Sequence, residues 1–236
     1  MDFYDIALAK QLGGGGSSVT IEELNVTANG TYSAPTGKAY SPVNVNVSGG
    51  GDDLLLQTLN RTISGTYTGD STVLSIPAEF FKNCNSLNGV SFPSCQSIYS
   101  SAFEGCTYLY SVSFPICSYT GSGAFKTCTR LENIYFPELS GIPIETFRSC
   151  SAASWASFPK VKSISKSAFI GCISLESLYL MNSVVATLST SVFNATPMSL
   201  SSYLGYFGSI YVPASLLASY QSATNWAEFS DRLVGV

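Results

Sequence analysis

The side chains equipped for chemistry are few in this chain, and their spacing is unusual. Seven cysteines occur, five of them 22 residues apart at Cys84, Cys106, Cys128, Cys150 and Cys172, and Cys95 and Cys117 form a second series with the same interval. A thiolate can serve as nucleophile, metal ligand or disulfide half, but the chain contains no His to act as base or co-ligand. No two cysteines have the short C-x₂₋₄-C spacing of a zinc site. Cysteines recurring at one repeat position are expected to be buried, reduced thiols that pack as small apolar groups. Parallel Cβ vectors from neighbouring repeats do not suit the crossed geometry of a disulfide. Glu132 and Glu176 are the candidate carboxylate pair, but they stand two repeats apart, about 10 Å if repeats stack at strand spacing. No closed cleft is indicated between them, so a rim contact is expected and not acid–base catalysis. The glycine runs Gly13–Gly16 and Gly49–Gly51 lack the lysine of a phosphate loop and read as linkers. No enzyme, cofactor or metal is expected. The Asn-x-Thr sequons at Asn25, Asn29, Asn60 and Asn194 have no secretory context and are read as chance.

The elements that hold these residues follow from the period. Phe81, Phe103, Phe125, Phe147 and Phe169 each precede one of the five cysteines by three residues. Further on comes an apolar-x-apolar-Pro run: Val90-Ser91-Phe92-Pro93, Val112-Ser113-Phe114-Pro115, Ile134-Tyr135-Phe136-Pro137, Ala156-Ser157-Phe158-Pro159, with Leu178-Tyr179-Leu180-Met181 in the fifth copy. A fixed period of this length marks a stacked solenoid in which each repeat supplies one coil. The two apolar residues of the run mark a short strand, and proline, which has no ladder donor, ends it. The Phe, the Leu six residues on (Leu87, Leu109, Leu131, Leu175), both strand apolars and the later Ile (Ile98, Ile142, Ile164) should point inward. Fixing 22 backbones costs more than burying these few side chains returns, so a single repeat should not fold alone.

Composition narrows the partners. Hydrophobic residues make up 45% and charged residues 11%, which excludes a disordered polyelectrolyte, and fourteen Phe with fourteen Tyr favour β structure. A net charge of −4 leaves no basic footprint for nucleic acid, and no apolar run reaches membrane-spanning length. The N-terminus lacks the basic and apolar regions of a secretion signal. A signal already removed, another export route or no export all remain open.

Along the chain, residues 1–18 read as a short amphipathic helix with a Gly/Ser linker, and 19–51 as a small β segment ending in a second linker. Within that segment Asn29-Gly30 is a hairpin signal and Val43–Val47 a strict alternation. It is too short to bury much of a core, so it is expected to be marginal alone or completed by another chain. Residues 52–80 form a degenerate first repeat, 81–209 the solenoid and 210–236 a helical cap. In that cap Leu216, Leu217, Tyr220, Trp226, Phe229 and Leu233 would cover the last coil.

The pattern Phe-x-x-Cys-x-x-Leu-x-x-Val-x-Phe-Pro, followed by Ile and then Ala-Phe (Ala102-Phe103, Ala124-Phe125, Ala168-Phe169), resembles the BspA-like class of leucine-rich repeats. The resemblance covers about half the chain. It implies a right-handed leucine-rich-repeat solenoid with one short parallel strand per repeat on one face and irregular or short helical turns on the other. The fourth copy departs from the pattern, with Ala153 for Leu and Ala156 for Val, and a tighter or distorted coil is expected there. The flanks MDFYDIALAKQLGGGG and Leu24–Val47 resemble segments of phage and prophage tail-associated proteins. Residues 211–232 are similar to the end of many bacterial proteins with this repeat.

In leucine-rich repeats the variable strand positions face outward on the concave side. Here most are small and polar, but Tyr135, Trp155 and Tyr179 fall in adjacent coils beside Asn133, with Glu132 and Glu176 one position earlier. Clustered exposed aromatics suit stacking on sugar rings or on a partner's apolar patch, although aromatics also fill cross-strand ladders. The expected function is therefore a non-enzymatic binding or adhesion module for a protein or a cell-surface glycan. It would be virion-associated or extracellular at the cell surface, without membrane insertion, and an oligomer through the N-terminal segment is compatible with that setting. The alternative is a structural spacer with no ligand of its own.

Overall fold

Every coil is tied to the next by backbone hydrogen bonds between residues one repeat apart, and these bonds produce two columns of short parallel strands. The computed structural model describes residues 63–69, 71–199 and 207–236. The first column comprises β1 (Ser64–Thr68), β3 (Ser86–Ser91), β5 (Ser111–Ser113), β7 (Asn133–Tyr135), β8 (Trp155–Ser157), β10 (Ser177–Tyr179), β12 (Ser209–Val212) and β13 (Leu233–Gly235). It divides into a three-stranded sheet, β1-β3-β5, and a five-stranded sheet, β7-β8-β10-β12-β13. Between β5 and β7 the ladder lapses, and a single bond from Glu132 N–H to the Tyr110 carbonyl, 3.3 Å, crosses the junction.

The second column was not foreseen, because one strand per repeat was expected. It holds β2 (Ser75–Ile76), β4 (Ser97–Ile98), β6 (Tyr119–Thr120), an isolated bridge from Ile142 to Ile164, β9 (Ser163–Ile164) and β11 (Thr187–Leu188). These strands are two residues long, so no alternation betrays them in the sequence. They exist because the inward Ile positions lie one above another and the flanking amides bond across coils: Tyr99 N–H to the Ile76 carbonyl, 2.9 Å, and Gly121 N–H to that of Ile98, 2.7 Å.

The turns carrying the phenylalanines are irregular but hydrogen-bonded in the same way. Phe81, Phe103, Phe125 and Phe147 donate to Ala102, Ala124, Thr146 and Ala168 of the next coil at 2.7–2.9 Å. Each of these rings is flanked two residues away on both sides by a left-handed residue, for example Ser101 (φ 55°) and Gly105 (φ 75°) around Phe103. Buried backbone is thus satisfied outside the strands as well.

All the residues expected inside are buried except Val112, which is half-buried. Their rings form two stacked columns. Phe81, Phe103, Phe125, Phe147, Phe169 and Phe193 succeed one another at 5.0–6.0 Å with planes within 14°. Phe92, Phe114, Phe136 and Phe158 do so at 5.6–6.4 Å. Phe193 keeps its place despite the 24-residue interval before it. The fourth copy is not tighter as expected: Ala153 and Ala156 are buried, the strand register is unbroken, and Phe136–Phe158 is the widest spacing of its column at 6.4 Å. The rings, and not the shortened aliphatics, hold the coils apart.

The C-terminal end is only partly helical. A 3₁₀ turn (Ala214–Leu216), helix α1 (Leu217–Ser222) and a second 3₁₀ segment (Ala227–Arg232) lie between β12 and β13, which extend the first column. Tyr220, Trp226, Phe229 and Leu233 are buried as expected, and Leu216 and Leu217 are half-buried against the core. Trp226 donates to the Ala186 carbonyl at 2.6 Å, the Tyr220 hydroxyl accepts from Ala186 N–H at 3.0 Å, and Asn225 donates to Leu188 at 2.6 Å. The cap therefore satisfies polar groups of the last coil as well as covering its apolar end. The expected N-terminal helix, the 19–51 β segment, both linkers and any oligomer contact through them lie outside the described residues.

Two details lead to measurements. Thr120 stands where the other coils place Ile76, Ile98, Ile142 and Ile164; it is fully buried and its hydroxyl has no hydrogen-bond partner. Thr120→Val should raise stability in urea denaturation by about 1 kcal/mol, because an unpaired buried hydroxyl is replaced by a methyl group. Along one edge, charges alternate between coils: Lys82 contacts Glu79 (2.8 Å) and Glu104 (3.3 Å), Lys126 contacts Glu104 (3.7 Å) and Glu145 (2.9 Å), and Arg148 also pairs with Glu145. For Glu104, burial pushes the carboxyl up but the Ser101 hydroxyl, Lys82 and Lys126 outweigh it, and the net direction is down. Lys126 holds Glu145 down as well. A depressed carboxyl stabilises the fold above the ordinary carboxylate range and ceases to as pH falls through the depressed value. Lys126→Gln should therefore cost up to about 1 kcal/mol near neutrality and almost nothing at about pH 2–3. An equal cost at both pH values would count against the ion pairs.

Candidate binding face

The outward positions of the first strand column form one continuous face with two different halves. On β1, β3 and β5 it is a floor of small groups: Thr66, Thr68, Gly89, Ser91, Ser111 and Ser113. Gly89 is part of that packing, since a Cβ there would lie 2.7 Å from Ser111 Oγ and 3.2 Å from Thr66 Oγ1. From β7 onward the same positions turn aromatic. Tyr135, Trp155 and Tyr179 are brought together as expected, with ring centroids 6.1 Å and 6.0 Å apart and planes inclined by 42° and 47°. Tyr135 is 50% exposed, and Trp155 and Tyr179 are half-buried.

Register explains the inclination. Tyr135 aligns with Ser157 and then Tyr179, whereas Trp155 aligns with Asn133 and Ser177. The large rings therefore zigzag between two files of the sheet, and Trp155 leans into the space beside the small Ser157, which is 7% exposed. Asn133, Glu132 and Glu176 are all exposed beside this zigzag, the two glutamates in one file at the strand starts. Their amides hold that file together: Ser154 N–H bonds to the Glu132 carbonyl and Glu176 N–H to that of Ser154, both at 3.0 Å. The carboxylates are two coils apart and enclose no cleft. No Lys or Arg occupies the outward positions of β3, β5, β7, β8, β10 or β12.

Tyr211 is a fourth member that the sequence reading assigned only to the cap. It aligns with Tyr179 and stacks on it at 4.4 Å with planes within 9°. The signal was present, because Ile210-Tyr211-Val212-Pro213 repeats the form of Ile134-Tyr135-Phe136-Pro137, but the lengthened interval before it broke the count. The rings contact one another, so they act as a cross-strand ladder and an exposed surface together.

The thiols have no part in this face. All seven are free and buried. Four donate to the carbonyl of the Phe in the preceding coil: Cys106 to Phe81 (2.9 Å), Cys128 to Phe103 (3.1 Å), Cys150 to Phe125 (3.2 Å) and Cys172 to Phe147 (3.1 Å). Thr196 takes the equivalent position after Phe193 and bonds to the Phe193 carbonyl at 2.7 Å. The sequence suggested small apolar packing, and the structure adds a weak thiol donor to a carbonyl that already accepts a backbone N–H from its own coil, for example Phe81 from Cys84. Burial pushes Cys128 and Cys150 well up and Cys172 up to about 12, and contact with Cys117 together with burial pushes Cys95 up. Among the described residues no group of three or more His, Cys, Asp or Glu is placed to hold a metal ion.

The model of the BspA type leucine rich repeat region matches residues 74–199 in six copies. The chain belongs to this family. Solved structures of leucine-rich repeat proteins are similar to it. A leucine rich cell surface protein from Faecalibacterium prausnitzii shares 20% identity over 67% of this chain and 41% of its own, with a TM-score of 0.53. A leucine-rich repeat protein from Bacteroides ovatus shares 23% over 65% and 50%, with a TM-score of 0.50. The T. pallidum leucine rich repeat protein shares 31% over 50% of this chain and 59% of its own, with a TM-score of 0.48. The chain thus spans about half the length of these proteins, and the likeness of the first two establishes the leucine-rich-repeat solenoid fold. No curated protein matches the chain.

Inert thiols are the measurable consequence of this geometry. A thiol reagent at mildly alkaline pH should label almost none of the seven cysteines in the native BspA-type solenoid and all of them in denaturant. Rapid native labelling of Cys128 or Cys150 would contradict their burial.

Proposed function

We propose that the chain is a non-enzymatic binding or adhesion module that presents the aromatic half of its strand face to a protein or a cell-surface glycan. The observation that carries this reading is the partial exposure of Tyr135, Trp155, Tyr179 and Tyr211 in adjacent coils of a face whose other outward strand positions up to β12 are Ser, Thr, Gly and Asn133. The rings support one another as a cross-strand ladder, yet small residues serve the first three strands without one, and the exposed ring surface is what a partner would contact. Glu132, Asn133 and Glu176 at the margin offer polar contacts.

The setting proposed is extracellular: a bacterial surface, or the tail of a phage or prophage. The flanks that resemble tail-associated segments support the second, and the likeness to the F. prausnitzii cell surface protein supports the first. No helix among the described residues is long and apolar enough to cross a membrane. The second reading, a spacer without its own ligand, draws on the core that runs unbroken from Phe81 to Phe193 and on the contacts the exposed rings make with one another.

Binding to bacterial cells and cell-wall fractions separates the two. Trp155→Ala combined with Tyr135→Ala should weaken binding at least about tenfold, as truncation of aromatic anchors does. The same variant should keep its strand signal and a cooperative melt. Unchanged binding in a folded variant would favour the spacer or move the contact to the turns.

A further inference from the structure

Resting on the binding-module reading, we infer that Tyr135, Trp155 and Tyr179, with Glu132 and Glu176, form a track for an extended β-1,4-linked glycan lying along the solenoid axis, one sugar per coil. Two periodicities argue for it. The coils repeat at the strand spacing of about 4.8 Å. A β-1,4-linked pyranose chain advances by nearly the same distance per residue. Such a chain is also a two-fold ribbon: each sugar is turned over relative to its neighbour, so like groups recur at every second residue.

The face carries that same second-order repeat. Tyr135 and Tyr179 stand in one file with the small Ser157 between them, and Trp155 occupies the other file at the intervening coil. Glu132 and Glu176 stand in a third file, again two coils apart, with Ser154 between them. The three rings are inclined to one another by 42° and 47°, which leaves parts of their faces open, whereas the flat contact of Tyr179 with Tyr211 closes the row at its C-terminal end. At the other end Tyr135 meets the low floor of Ser111 and Ser113. A protein partner would not need this strict alternation, but a two-fold ribbon of sugars matches it.

Charge selects among such glycans. The face bears carboxylates and no cations at its outward strand positions, so sulfated, phosphorylated and uronic acid polymers are repelled. Uncharged chains fit, and chains with free amines on alternate sugars gain from the glutamates. Trp155 and the buried Trp226 are the only tryptophans, so emission from Trp155 reports occupancy directly.

The test uses the full chain titrated with defined hexamers: β-1,4-linked N-acetylglucosamine, the same hexamer deacetylated, β-1,4-linked glucose, and α-1,4-linked glucose. At least one β-linked hexamer should bind about tenfold more tightly than the α-linked one, and affinity should grow from the dimer and level off near the tetramer. Trp155→Ala or Tyr135→Ala should each lower that affinity about tenfold. Tyr119→Ala, on an exposed ring of the second strand column, should leave it unchanged. Glu132→Gln with Glu176→Gln should weaken the deacetylated hexamer severalfold and spare the acetylated one; equal effects on both would overturn the role of the carboxylates. Failure of every β-linked hexamer, equal binding of the α-linked one, or binding that survives both aromatic variants would overturn the track. If whole-cell binding still depended on Trp155 while all hexamers were inert, the glycan would fall and the binding module would stand. If neither cells nor hexamers responded to the face variants, both would fall.

Discussion

Contact between equivalent residues of successive coils is the interaction on which this structure rests. A single 22-residue coil exposes its phenylalanines at both open ends and leaves its backbone groups unpaired. Stacking the next coil in register closes both deficits together, because the same translation that lays Phe103 on Phe81 also brings the Ala102 carbonyl to the Phe81 amide. On the inside the near-parallel rings succeed one another at 5.0–6.4 Å between centroids, and on the outside the strand ladder repeats at about 4.8 Å, so offset stacking lets both be met at once. Stability in such an array is a sum of neighbour terms, so the ends matter disproportionately. The C-terminal segment accordingly contributes hydrogen bonds from Trp226, Tyr220 and Asn225, not apolar cover alone.

That arrangement separates the residues that maintain the fold from those free to vary. Inward positions must match their copies above and below, so they hold Phe, Leu, Ile and Cys with few exceptions. The cysteine position is an example: a small group fits beside the ring, and from Cys106 onward its thiol also donates to a carbonyl one coil back. Where the cysteine series ends, Thr196 takes its position and donates to the carbonyl of Phe193 itself. Outward strand positions carry no such demand. Their side chains are lined up by the ladder, and at exposed ones such as Ser111 and Ser113 a larger residue would change the surface more than the interior. These are the positions free to vary, and in the first strand column their aromatic residues fall on the strands from β7 onward.

Most of the architecture was legible because a solenoid translates sequence period directly into spatial neighbourhood. The inward Phe, Leu and Ile positions, the free thiols and the gathering of Tyr135, Trp155 and Tyr179 all follow from counting in steps of 22. Counting failed where length varied. Tyr211 was placed in the cap because the interval before it is longer than one repeat, although its ring completes the row. The second strand column was missed because two-residue strands leave no alternation to read. Of the tighter or distorted coil expected for the fourth copy, the tighter one is absent, because the stacked rings keep Phe136 and Phe158 6.4 Å apart despite the alanines.

The sequence by itself determined that the repeat region is a stack of like coils, which residues face its interior, and that the chain has no histidine and a net charge of −4. Those properties depend on residue type and interval, which a one-dimensional repeat preserves. Only the tertiary structure decided that the exposed rings alternate between two files, that the strand ladder lapses between β5 and β7, and that each thiol of the main series from Cys106 onward addresses a carbonyl in the coil before it. Such features depend on the register and tilt of one coil upon the next, to within a fraction of a side chain. No period in the sequence carries information that fine, because the same spacing is compatible with rings lying flat, leaning or interleaved, and packing among the neighbours chooses between them.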